Sequence, residues 1–244
     1  MEKLVFKKPD SLRDTSTHYC AGCGHGIIHR LVCEVIDELG IREKVIAVAP
    51  VGCAVIAYDY WDFDVTEAAH GRTPAVATGI KRVLPKNIVF TYQGDGDLAA
   101  IGTAEIIHAA ARGENITVIF VNNGVYGMTG GQMAPTTIIG QSTATTKKGR
   151  SIKRDGFPIR ISEMIALLEG VKFVERCSVH APKEILKAKK AIKKAFEVQM
   201  NDKGFSMVEI IAMCPTYWGL APREACKRIE KEVLKSYPLG VLKN

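Results

Sequence analysis

The sequence predicts an α/β fold built on a mostly parallel sheet with helices on both faces. The stretch 88–123 is the clearest sign. The apolar run Ile88-Val89-Phe90 enters the tight turn Gly94-Asp95-Gly96-Asp97, and an alanine-rich segment with apolar residues at helical spacing follows over 98–112. Gly113 stops that segment, and 116–121 reads as a second buried strand ending at Asn122-Asn123. A strand–turn–helix–strand unit of this kind makes its strands parallel neighbours with both polar clusters at their carboxyl ends. The alternation returns at 171–213, where the helical stretch 182–199 separates strand-like runs at 171–179 and 205–213.

The remaining elements follow in order. Tyr19-Cys20-Ala21-Gly22-Cys23-Gly24-His25-Gly26 precedes an amphipathic helix over 27–39, and a strand over 44–49 ends at Pro50-Val51-Gly52-Cys53. Ala68-Ala69-His70-Gly71-Arg72 leads to Thr73-Pro74, read as the N-cap and first residue of a helix running to 82. From 124 to 160 the chain is rich in Gly, Thr and Ser without a period, the mark of a functional or disordered loop. Its first part, 124–132, is expected to wrap a ligand, and 147–156 to be mobile or to face a partner. A helix over 222–235 and the tail Tyr237-Pro238-Leu239-Gly240 close the chain.

Composition narrows the function classes. With 244 residues and 47% apolar content the chain can bury a full core, as one domain with small additions. No apolar run approaches the roughly 20 residues that span a membrane, and the opening MEKLVFKKPD lacks a signal-peptide core. The expected location is the cytoplasm. The net charge of +7 favours acidic partners, but much of the excess lies in 182–199, where lysines at helical spacing form a solvated face. No basic patch interleaved with aromatic residues argues for nucleic acid.

The residue types at the two strand ends suit a diphosphate held through a divalent cation. Asp95 offers a hard carboxylate oxygen and Asn123 a carbonyl oxygen, while the helix N-terminus after Asp97 favours an anion. A dinucleotide turn would read GxGxxG, which this is not. GDG followed by NN at this spacing resembles the thiamine diphosphate fingerprint. That resemblance implies Asp95 and Asn123 as magnesium ligands, with the backbone carbonyl of Val125 as a third.

Seven cysteines in a reducing compartment argue against a disulfide framework. Cys20 and Cys23 have the spacing with which two thiolates grip one metal centre. Cys53 and Cys214 each follow a strand, and in one parallel sheet both thiols reach the edge that carries Asp95 and Asn123. Four thiolates could hold zinc or an iron–sulfur cluster; one pair plus two distant single cysteines suits a 4Fe–4S cluster better than a zinc ribbon. Cys33 reads as a small core residue, and Cys177 and Cys226 as structural.

CAGCGHG, APVGC, AAHGR, YQGDGDLAAIGTAEI, FVNNGVYGMTGGQ and MCPT occur together and in order. They resemble the β subunit of 2-oxoacid:ferredoxin oxidoreductases over nearly the whole chain. The resemblance implies a thiamine diphosphate-binding (PP-domain) fold, so that 1–244 forms a single such domain with an N-terminal CxxC cluster loop and a C-terminal helical tail. It implies Cys20, Cys23, Cys53 and Cys214 as ligands of one 4Fe–4S cluster. It further implies cofactor contacts at Gly52, Cys53, Ala54, His70, Gly71, Gly96, Asp97, Gly127 and Met128. His70 is the candidate catalytic residue, placed with Arg72 to meet phosphate oxygens or a reaction intermediate; the other reading is a helix-start histidine bonded to backbone.

The implied reaction is oxidative decarboxylation of a 2-oxoacid with coenzyme A, giving acyl-CoA, carbon dioxide and reduced ferredoxin. Thiamine chemistry needs a carboxylate on the aminopyrimidine. Glu67 and Glu105 are present without a supporting motif, and the family resemblance assigns this glutamate to a separate α subunit carrying a pyrimidine-binding domain. The stretch after Cys53, AVIAYDYWDFD, holds no Lys or Arg. Val55, Ile56, Tyr58 and Trp61, with Met128, read as an apolar wall that favours a branched substrate such as 2-oxoisovalerate over 2-oxoglutarate. A non-redox thiamine decarboxylase subunit and a zinc-stabilised non-enzymatic module are the alternatives.

Overall fold

A computed structural model describes residues 7–244; the reading of residues 1–6 lies outside the described residues. In chain order the elements are α1 (Gly24–Leu39), β1 (Val45–Ala49), β2 (Asp64–Glu67), α2 (Thr73–Val83), β3 (Ile88–Gly94), α3 (Thr103–Ala111), β4 (Thr117–Asn122), β5 (Val125–Tyr126) and β6 (Gln132–Met133). Then come α4 (Ile152–Asp155), α5 (Ile161–Ala166), β7 (Val171–Ser178), α6 (Pro182–Met200), β8 (Phe205–Ile211), α7 (Pro215–Trp218), α8 (Pro222–Arg228), α9 (Leu234–Ser236) and β9 (Gly240–Lys243).

Seven strands form one sheet in the order β2-β1-β3-β4-β8-β7-β9. Every pair is parallel except β7 with β9. The inner strands β3, β4 and β8 are buried on both sides, as a sheet covered on both faces requires. Alternate residues feed two cores: Ala47, Phe90, Tyr92, Ile119 and Val121 meet α1 and α6, while Val48, Val89, Val118 and Phe120 meet α2, α3 and α5. Gly94 of β3 lies beside Val121 of β4, and Asn122 beside Ile211 of β8. The segments that follow β3, β4 and β8 therefore leave the sheet side by side. No helix among the described residues is long and apolar enough to cross a membrane.

Several expectations need correction. The helix expected over 98–112 is interrupted: a π-helical turn, Asp97–Ile101, precedes α3, with Gly102 between them. A Cβ on Gly102 would lie 2.5 Å from the Asp97 carbonyl oxygen and 2.7 Å from that of Gly71, so the chain bends where two backbones meet. Arg72, not Thr73, is the N-cap of α2, and the Thr73 hydroxyl turns to the Asp97 carboxylate at 3.3 Å. The tail is not purely helical. A π turn, Ile229–Val233, divides its helix, and the last residues pair antiparallel with β7 as β9. Edge strand β2 also escaped the sequence, being short, acidic and partly exposed.

The segment 147–156 is pinned rather than free. Arg150 is buried, and its guanidinium donates to the carbonyls of Pro135 at 2.8 Å, Thr137 at 2.8 Å and Phe157 at 2.8 Å. A second buried guanidinium fixes the sheet: Arg176 of β7 donates to Glu209 of β8 at 2.7 Å and to Glu163 of α5 at 2.9 Å. Glu209 also accepts from the Asn122 amide at 2.8 Å, which links this network to the end of β4. Removing one partner strands a buried charge, so Arg176→Met should lower stability by about 3–5 kcal/mol. Urea unfolding with an unchanged midpoint would show that the pair contributes nothing.

Candidate active site

The turns after β1, β3 and β4 close around a cleft. Of the residues expected at a cofactor, Gly52, Cys53, Ala54, His70, Asp95, Gly96, Asp97, Asn123, Val125, Gly127 and Met128 all line it. Gly71 does not; with φ at +78° it backs the cleft and donates its N–H to Asp97 at 2.9 Å.

Asp95, immediately after β3, is buried and gathers donors from two directions. Its carboxylate accepts from the Gly96 N–H at 2.8 Å, the Gly124 N–H at 2.7 Å and the Thr136 hydroxyl at 2.7 Å. Burial pushes its carboxyl up to about 6 against the pull of those donors. Asn123, after β4, presents its side-chain oxygen to the Val125 N–H at 3.1 Å, while the Trp218 indole holds its backbone carbonyl at 3.1 Å. Two oxygen donors of hard character thus stand together at one sheet edge, which suits a small divalent cation that keeps phosphate oxygens as its other ligands.

Asp97 has a different task. Its carboxylate binds the His70 Nδ1 at 2.9 Å, the Gly71 N–H, and the Gln93 amide at 2.7 Å. It orients His70 and leaves that ring's Nε2 as the remaining nitrogen. Arg72 pairs with Glu105 instead of reaching into the cleft. His25 lines the cleft as well, with Nδ1 on the Tyr92 hydroxyl at 2.8 Å and its ring stacked on Tyr19 at 5.0 Å. Neither His25 nor Thr136 was singled out from sequence. His25 was hidden inside a cysteine motif, and Thr136 is one of many Thr residues in an aperiodic loop.

The cysteines converge on the same edge. A Cβ on Gly127 would sit 2.8 Å from the Cys53 sulfur and 3.9 Å from that of Cys214, so only glycine lets the loop cross there. The C-x2-C turn is held by the Cys23 N–H on the Cys20 carbonyl at 3.0 Å and by the Gly24 N–H on the Met213 carbonyl at 3.2 Å. Cys53 and Cys214 are pushed up to about 12, chiefly by burial and further by neighbouring sulfurs that include Cys20 and Cys23. The thiols are therefore protonated at neutral pH, and a cationic centre among them would reverse that. Among the described residues no three of His, Cys, Asp or Glu are already closed into a metal site. Sulfur donors gathered at one edge are of the kind that hold a thiolate-bound metal centre. Cys33 and Cys177 lie elsewhere, buried against the carbonyls of Ser11 and Glu209, and Cys226 lies on α8.

Sheet, cleft and oxygen donors define a thiamine-dependent enzyme domain: the family described as thiamine pyrophosphate enzyme, C-terminal TPP binding domain, matches residues 51–210. The ketoisovalerate oxidoreductase subunit VorA of Methanothermobacter thermautotrophicus is 49% identical over 98% of this chain and 52% of its own length. The 2-oxoglutarate synthase subunit KorB of Archaeoglobus fulgidus is 37% identical over 88% of this chain and 76% of its own. A solved 2-oxoglutarate:ferredoxin oxidoreductase from Magnetococcus marinus, with 2-oxoglutarate, coenzyme A and succinyl-CoA bound, superposes with a TM-score of 0.75 at 30% identity, covering 88% of this chain and 70% of that one. This chain belongs to the family of 2-oxoacid:ferredoxin oxidoreductase subunits. It spans about half the length of the ketoisovalerate relatives it matches.

Asp95→Ala should abolish magnesium-dependent retention of thiamine diphosphate while the far-UV circular dichroism stays intact. Thr136→Val, which removes only a support of that carboxylate, should weaken retention about 10–100-fold. In the wild type, retention should fall as pH drops through about 6, where the carboxyl takes up its proton. Titration calorimetry giving equal affinity for all three proteins would refute the assignment of Asp95.

Proposed function

We propose that this chain is the β subunit of a 2-oxoacid:ferredoxin oxidoreductase, carrying thiamine diphosphate, magnesium and a 4Fe–4S cluster. It acts with an α subunit in the CoA-dependent oxidative decarboxylation of a 2-oxoacid. The observation that carries this reading is the single sheet edge where Asp95 and Asn123 stand beside Cys20, Cys23, Cys53 and Cys214. When bound, the cofactor supplies the carbanion that attacks the 2-oxoacid, and the cluster takes the electrons onward. Asp95, Asn123 and the Val125 carbonyl hold the cation, His70 and His25 present ring nitrogens to the reacting groups, and Asp97 fixes the His70 ring. Glu105 pairs with Arg72 and Glu67 is exposed at the end of edge strand β2, and the activating carboxylate is assigned to the partner's pyrimidine-binding domain.

The substrate proposed is 2-oxoisovalerate. Val51, Ala54 and Met128 line the cleft, and among the described residues no Lys or Arg lines it, so a distal carboxylate would meet no cation from them. The higher identity to the ketoisovalerate subunit points the same way. Of the wall expected from sequence, Met128 lines the cleft, but Val55, Ile56 and Tyr58 do not, and Trp61 is fully buried, stacked on His29 at 4.5 Å in the core. 2-Oxoglutarate is the second reading, favoured by the KorB relatives. For the assembled enzyme, kcat/KM with a viologen dye should be highest on 2-oxoisovalerate, above 2-oxoglutarate and pyruvate. A preference for 2-oxoglutarate would place the specificity pocket in the partner.

The cluster is tested separately. Protein purified without air should be brown and bleach with dithionite, which a zinc module would not do. Cys214→Ala should lose the iron, whereas Cys226→Ala should keep it. Equal loss in both would overturn the choice of Cys214.

A further inference from the structure

A groove runs behind the cleft, between the loop at 138–142 and the helix that starts at Pro222. Its floor is apolar, with Trp218, Leu220 and the 42% exposed Ile139, and its wall carries Lys227, Lys231 and Lys235. These lysines are four residues apart, and the π turn Ile229–Val233 lies within their span. All three are exposed, and none makes an ion pair among the described residues. The two acidic residues of the groove are engaged along the helix itself. Glu232 pairs with Arg228 at 3.1 Å, and Glu224 accepts from the Ala221 N–H at 3.4 Å. Arg228 in turn lies over the Trp218 ring at 4.7 Å. The four cations of the groove outnumber its two carboxylates, which leaves an excess of positive charge over an apolar floor.

Two of the groove's elements start beside the cysteines. Trp218 belongs to α7, which starts at the residue after Cys214. The C-x2-C turn rests on the start of the lysine-bearing helix, since a Cβ on Gly22 would lie 2.6 Å from Pro222. At 1.5 Å per residue, Lys227 stands only about 8 Å along the helix from that contact.

We infer that this groove is the docking surface for an acidic one-electron carrier protein, which it would hold against the sulfur-bearing edge; the inference rests on the function proposed above. A positive row steers an acidic partner during encounter, and the apolar floor supplies the contact once it has arrived. The occupant follows from charge complementarity and from the groove's position beside the thiols through which electrons would leave.

The test uses the assembled enzyme with the triple variants Lys227→Glu/Lys231→Glu/Lys235→Glu and Lys227→Gln/Lys231→Gln/Lys235→Gln. Rates of 2-oxoacid-dependent reduction are measured with a purified acidic ferredoxin and with a viologen dye. At low salt the KM for ferredoxin should rise about tenfold or more in the Glu variant and less in the Gln variant. Viologen reduction should stay within about twofold, and the wild-type decline of ferredoxin reduction with salt should disappear. An unchanged ferredoxin KM would overturn the inference. So would failure of both variants to assemble with the partner subunit, which would make the groove a subunit interface. If wild-type enzyme oxidises no 2-oxoacid with either acceptor, the proposed function fails first and the docking surface with it.

Discussion

Parallel pairing is the constraint on which the rest depends. Strands β1, β3, β4 and β8 run the same way in a register that ends them together, so whatever the chain places after a strand arrives at one edge. Asp95, Asn123, Cys53 and Cys214 are distant in sequence and share no local element. They are neighbours because each lies within four residues of a strand end. The antiparallel pairing of β9 lies at the far side of the sheet and leaves this edge undisturbed.

The edge is costly to build, because it buries charges and donors that water would otherwise satisfy. The chain answers with dense hydrogen bonding rather than with apolar filling. Asp97 is engaged by His70, Gly71, Gln93 and Thr73, and Asn122 is engaged by the Arg176–Glu209 network. These bonds fix rotamers that bare loops would leave free.

The sequence made the parallel sheet and the Asp95–Asn123 pair legible because both rest on long signals: apolar runs of strand length, and polar clusters at a fixed separation. The four cysteines were legible as a set through strand-end placement and motif order, since no spacing rule joins Cys53 to Cys214. What was missed had little to signal it. β2 and β9 have four residues each and lie at sheet edges, where half the pairing is absent and apolar alternation is weak. Trp61 was misassigned because the segment after Cys53 sends Tyr58 outward and Trp61 inward within one turn. Thr136 and Gln93 act as isolated polar side chains, and a single polar side chain leaves no periodic trace.

Arg150 has a further consequence. By gathering carbonyls from both sides of the segment 134–157, it settles that segment's shape before any ligand arrives. Thr136, which supports Asp95, lies inside the loop so fixed. The entropy of ordering this wall is lost during folding rather than at each binding event, so a ligand meets a surface already in its final form. Association at this wall should then resemble capture by a rigid socket, with little of its free energy diverted to shaping the protein.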